Sequence, residues 1–171
     1  IDDGSGALSY AELIEAVEVE AERLRVAGVR PGDRVGIRVD SGSKELYIAI
    51  LAIMQARAAY VPVDADDTDE RARLVFGEAQ VAGIIGNGGY QARDQHQART
   101  NETALEADHT DHTTPTLDDD AWIIFTSGST GVPKGVAVSH RSAAAFVDAE
   151  ANWYLQDDPL GPGDRVLAGL S

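Results

Sequence analysis

The chain has 171 residues, 43% hydrophobic and 25% charged, with a formal net charge of -15, which is apolar material for one packed domain. So acidic a balance argues against nucleic acid, whose phosphates need clustered Lys and Arg, and against an anionic membrane surface. There is no cysteine, which excludes disulfides and thiolate metal sites, and no apolar run approaches the roughly 20 residues of a membrane span. The chain opens at Ile1 without an initiating Met and shows no leader, so it reads as a piece of a longer protein. Asn101-Glu102-Thr103 matches a glycosylation sequon but has no secretory context.

Ser9-Tyr10-Ala11-Glu12 reads as a capping box, and Leu13, Ile14, Val17, Ala21 and Leu24 then recur as a helical stripe that Gly28 ends. Pro31-Gly32-Asp33 predicts a turn, and Val35, Ile37 and Val39 alternate like a strand. A second helix is expected from about Ser43 to Ala56. Leu46, Ile48, Ala49, Ile50, Leu51, Ile53 and Met54 cover most of its sides, so it is expected to be buried. Tyr60-Val61-Pro62-Val63 predicts a short strand, residues 67–70 a third helix start, and residues 81–85 a buried strand. This alternation implies an α/β fold with a mostly parallel sheet and helical crossovers.

Residues 86–120 are polar and rich in Gly, Gln, His, Thr and Asp, and are expected to be a long, mobile surface connection. Their histidines, His96, His109 and His112, are irregularly spaced and form no recognisable ligand set. Order is expected to return over 121–171. Trp122-Ile123-Ile124-Phe125 is an apolar strand, and Val136-Ala137-Val138 is a brief extended piece. Ser139 can cap a helix through Ala144, Phe146 and Val147. Residues 159–164 read as a turn and 165–170 as a further strand.

The loop after Phe125 carries the chemistry: Thr126-Ser127-Gly128-Ser129-Thr130-Gly131-Val132-Pro133-Lys134-Gly135. Glycines at the carboxyl end of a strand let backbone N–H groups turn toward an anion. Thr126, Ser127, Ser129 and Thr130 add hydroxyls for phosphate oxygens, and Thr126 and Thr130 could join a Mg²⁺ shell. Lys134 adds a compact positive charge. The phosphate loop of common nucleotide hydrolases is excluded, because Lys134 is followed by Gly135 rather than Ser or Thr, and the dinucleotide fingerprint is absent. On chemistry alone this is a polyphosphate-binding loop, the competing reading being an ordinary serine-rich turn.

Residues 126–135 resemble the signature of the adenylate-forming superfamily, which includes acyl-CoA synthetases, luciferases and peptide-synthetase adenylation domains. Leu8-Ser9-Tyr10-Ala11-Glu12-Leu13 resembles an early family motif. Ala58-Ala59-Tyr60-Val61-Pro62-Val63-Asp64 resembles a second, most typical of the peptide-synthetase branch. With Asp164-Arg165-Val166-Leu167 these matches come in family order and span nearly the whole chain. Taken by themselves, Ser9 and Glu12 read as a helix cap and Tyr60, Val61 and Val63 as core strand residues. One departure stands out: where the family usually has Lys-Ala-Gly, this chain has Gln55-Ala56-Arg57.

The resemblance implies that the loop (Thr126, Ser127, Gly128, Ser129, Thr130, Gly131 and Lys134) wraps the β- and γ-phosphates of ATP while a carboxylate attacks the α-phosphate. It further implies Mg²⁺, an amino-acid substrate, and thioester transfer to the phosphopantetheine of a carrier-protein domain in a cytoplasmic enzyme. The family's acyl-pocket, adenine, ribose and catalytic-lysine motifs do not occur in the chain. It therefore reads as the truncated N-terminal portion of one adenylation domain, inactive alone, with no catalytic residue of its own and the missing remainder as a partner. An acyl-CoA or aryl-acid ligase of the same superfamily and a non-catalytic scaffold or subdomain are the competing readings.

Overall fold

The computed structural model describes residues 1–93, 115–126 and 133–153 and positions 159, 161, 163, 164 and 166. In chain order the elements are α1 (Tyr10–Val26), β1 (Arg34–Arg38), α2 (Lys44–Gln55), β2 (Ala59–Pro62), α3 (Asp69–Glu78), β3 (Gly83–Gly86), β4 (Gly89–Ala92), β5 (Asp120–Thr126), β6 (Lys134–Ser139) and α4 (His140–Trp153).

The strands form a six-stranded sheet in the order β4-β3-β1-β2-β5-β6. The inner pairings β3–β1, β1–β2 and β2–β5 are parallel, and β4 and β6 add antiparallel edges. The expected mixed α/β fold is therefore present. Strand β4 lies inside the stretch read as a surface connection; residues 94–114, which include His96, His109, His112 and the Asn101 sequon, fall outside the described residues.

Two apolar layers sandwich the sheet. On one face the stripe of α1 (Leu13, Val17, Ala21, Leu24) and Ala49, Ala52 and Ile53 of α2 pack on Val35 and Ile37. On the other, Ala72, Val75 and Phe76 of α3 pack on Val61, Val63 and Ile123. Leu24, Ile37 and Ile53 are fully buried, and each such side chain contributes about 2 kcal/mol by area removed from water. Helix α2 is less buried than its composition predicts. Only Ala49, Ala52 and Ile53 are buried and Leu51 is exposed, because a single face of the helix meets the sheet. Gly36 in β1 has a packing reason: a Cβ there would lie 2.7 Å from the Phe76 ring.

The helix starts follow the sequence. Ser9 and Glu12 form the capping box, Ser43 accepts from the Leu46 N–H, and Thr68 from the Arg71 N–H. Asp3 adds a second acceptor at the start of α2, taking the Lys44 N–H at 3.2 Å. Its carboxyl is held well below the usual carboxylate range, first by the Ser5 hydroxyl and then by the backbone N–H groups of Lys44 and Ser5. The expected turn near 159–164 is visible where the Gly161 N–H donates to Asp164 Oδ2; of the expected strand 165–170, only Val166 lies among the described residues.

Candidate functional site

The four parallel strands point the same way, so Arg38, Pro62, Gly86 and Thr126 end at one edge of the sheet. In open α/β sheets, ligands bind outside this carboxyl edge. Helices α2 and α3 begin there too, with their N-terminal dipole ends favouring negative charge.

Antiparallel β6 starts at the same edge. Thr126 and Lys134 are register partners, the last pair of the β5–β6 ladder, and both are exposed. Residues 127–133 link them. The structure thus brings Thr126 and Lys134 together at the carboxyl edge; Ser127, Gly128, Ser129, Thr130 and Gly131 fall outside the described residues.

Three cations at this edge face carboxylates. Arg38 donates to Asp69 Oδ1 at 2.6 Å and to the Asp67 carbonyl, holding the turn into α3. Arg71 pairs with Asp67 at 3.0 Å, and Lys44 lies 3.9 Å from Asp3. Lys134 takes part in no ion pair among the described residues. A compact, exposed ammonium at a strand end is suited to an anionic ligand.

Gly135, part of the signature, has another task. A Cβ at Gly135 would lie 2.8 Å from Cζ of Phe125 and 3.1 Å from Cγ2 of Ile123. Phe125 is its register partner, so the missing side chain makes room for that ring on the strand pair that carries the loop. The sequence does not reveal this, because the ring Gly135 serves lies on the neighbouring strand. The sequence reading also missed Asp119, whose carboxylate accepts from Arg57 Nη2 at 3.3 Å and from the Thr116 N–H at 2.9 Å.

Residues 1–171 match the family described as AMP-binding enzyme. The chain belongs to that family. Among curated AMP-binding relatives, it is 36% identical to the nonribosomal peptide synthetase gliP of Aspergillus fumigatus, covering 100% of this chain and 8% of that protein. Among solved structures, the Klebsiella oxytoca NpsA N-terminal subdomain in complex with 3-hydroxyanthranilyl-AMSN superposes with a TM-score of 0.62 at 29% identity, over 78% of this chain and 34% of that one. An artificially fused adenylation–PCP di-domain synthetase from the same organism, NpsA-ThdA, gives a TM-score of 0.63 at 29% identity, over 78% and 28%. The chain thus spans a small part of the synthetase and about a third of the subdomain it resembles. The fold and family expected from the loop and its companion motifs both stand.

Proposed function

We propose that this chain is the phosphate-side portion of an ATP-dependent amino-acid adenylating enzyme. The reaction joins a carboxylate to ATP, releasing pyrophosphate and forming an acyl-adenylate, which then passes to a carrier-protein phosphopantetheine as a thioester. The observation that carries this reading is the pairing of Thr126 with Lys134 at the carboxyl edge of the parallel strands. Membership of the AMP-binding family supports the adenylation chemistry, and likeness to a peptide synthetase and to an adenylation–PCP di-domain supports the carrier.

In this reading Ser127, Gly128, Ser129, Thr130 and Gly131 complete the grip on the β- and γ-phosphates. Lys134 offsets charge on the departing pyrophosphate. The hydroxyls of Thr126 and Thr130 fit the oxygen-donor preference of Mg²⁺, which would neutralise phosphate charge when bound with ATP. Catalysis of this kind rests on positioning and charge stabilisation, so a portion lacking the adenine, ribose and acyl sites is inactive alone. One adenylation domain across 1–171, with 86–120 as a connection and 121–171 as its phosphate-loop segment, and a cytoplasmic location belong to the same reading. No helix of the described residues is long and apolar enough to cross a membrane.

The aryl-adenylate analogue held by the NpsA subdomain favours one second reading, an aryl-acid ligase. Pyrophosphate exchange with the full-length protein separates the two by which acids stimulate it. In that assay Lys134→Ala is expected to lower exchange about tenfold or more, the size of one lost charge-assisted contact. An unchanged rate would remove the assigned role of Lys134. Exchange by the 171-residue chain alone would defeat the claim of inactivity, and none with any acid in the full-length protein would leave a scaffold.

A further inference from the structure

Arg57 stands in left-handed backbone, with φ 60, just past the C-cap of α2. The same position after α1 is Gly28 (φ 92) and after α3 is Gln80 (φ 52). All three helices close alike: the N–H groups of Val29, Ala58 and Val81 reach back to the carbonyls of Leu24, Ile53 and Phe76. Glycine takes this conformation freely, whereas a residue with a Cβ is held there at a cost of about 1 kcal/mol. A strained backbone at a long cationic residue calls for a compensating contact.

That contact is Asp119. Arg57 Nη2 lies 3.3 Å from Asp119 Oδ2, and the two side chains are only 20% and 32% exposed. Asp119 also ties down its surroundings: its carbonyl accepts the His140 N–H at 3.0 Å, and the Arg141 N–H donates to the Leu117 carbonyl at 2.8 Å. The start of β5 and the start of α4 thus meet at the residue Arg57 grips. The grip spans the shortest ladder of the parallel sheet. Strand β1 has four register pairs with each neighbour, whereas β2 and β5 share one, Tyr60 with Trp122, backed by a ring contact at 5.9 Å.

We propose that Arg57 is a positioning residue, whose hold on Asp119 fixes the β5–β6 hairpin against β2 and so sets where Thr126 and Lys134 stand. Its consequence for ATP rests on the adenylation reading; the clamp itself does not.

The test is peptide-resolved hydrogen exchange on the full-length protein with Arg57→Gly, Asp119→Asn, the double substitution and Arg57→Lys. Arg57→Gly supplies the residue this backbone favours, so misfolding is not the expected outcome. Even so, it should speed exchange across β5 and β6 about tenfold while β1 and β3 keep their protection. Asp119→Asn should match it, the double substitution should be no worse than either, and Arg57→Lys should recover most of the protection. In pyrophosphate exchange, KM for ATP should rise severalfold in Arg57→Gly with KM for the carboxylate unmoved. Unchanged β5–β6 exchange, additive effects of the two substitutions, or equal loosening of β1 and β3 would each overturn the proposal. If no acid stimulates exchange in the full-length protein, the adenylation reading fails while the hydrogen-exchange result still decides the clamp. If Lys134→Ala abolishes activity and Arg57→Gly leaves the hairpin protected, the clamp alone fails.

Discussion

Tyr90 packs against the α1–α2 core with its hydroxyl buried and, among the described residues, without a hydrogen-bond partner. Burial, and to a lesser degree the Asp33 carboxylate, pushes its pKa up to about 12. The unfolded value is near 10, so above that pH the unfolded chain releases a proton that the folded one keeps. The urea midpoint should therefore hold below pH 10 and fall as pH rises from 10 to 12. Tyr90→Phe should remove that part of the fall and raise stability near neutrality by about 1 kcal/mol, since it deletes an unsatisfied group. The ring lies over Gly83, where a Cβ would sit 2.4 Å from it. Gly135 poses the same demand across from Phe125, so Gly135→Val is expected to lower stability by about 1–3 kcal/mol in thermal unfolding. Neither glycine's role could be read from its neighbours in the chain, because each answers to a ring on the adjacent strand. Thr126 and Lys134 stand out as candidates because their chemistry is local, whereas their register pairing could not be read, because it depends on where β6 begins.

Helix starts were the most readable elements. The Ser9 N–H donates to Glu12 Oε2 at 2.8 Å and the Glu12 N–H to Ser9 Oγ at 3.3 Å, so the capping box follows from four consecutive letters. Ser9→Ala is expected to lower stability by about 1 kcal/mol in urea unfolding. The Ser9 backbone N–H, and then its hydroxyl, hold the Glu12 carboxyl below its ordinary value. Its contribution is thus present above the unfolded carboxylate pKa and fades as pH falls through the depressed value. Helix ends were harder. Gly28 announced one, but Arg57 and Gln80 adopt the same left-handed turn without a glycine to mark it. Helix α2 was placed correctly and its surroundings were not, because hydrophobicity on every side does not say how many neighbours exist. Strand β4 was missed although Asn87-Gly88, a hairpin signal, sits between it and β3; the polar stretch around it outweighed two letters.

For the molecule as a whole, the two halves of the sheet differ in finish. Helices α1, α2 and α3 each bury a stripe, whereas no residue of α4 is buried, and Phe146 is 65% and Trp153 82% exposed. Ile124 and Val136, partners in the β5–β6 ladder, are exposed as well. The chain produced alone should therefore bind a hydrophobic dye such as ANS and self-associate in sedimentation. Its charge of -15 opposes association, so added salt should promote it by screening. Phe146→Glu with Val147→Lys should reduce both signals. The parallel order of the strands was foreseeable from strand–helix alternation, but the seating of β5 beside β2 rests on contacts far apart in the chain. That seating has a kinetic consequence. The β2–β5 pairing closes the longest sequence interval of any strand pair described, and contacts of that range form late. A refolding experiment should find the β1–β2–β3 unit protected first and the hairpin in a slower step. A nascent chain that had emerged through β4 would already hold much of its core before Thr126 and Lys134 had been placed.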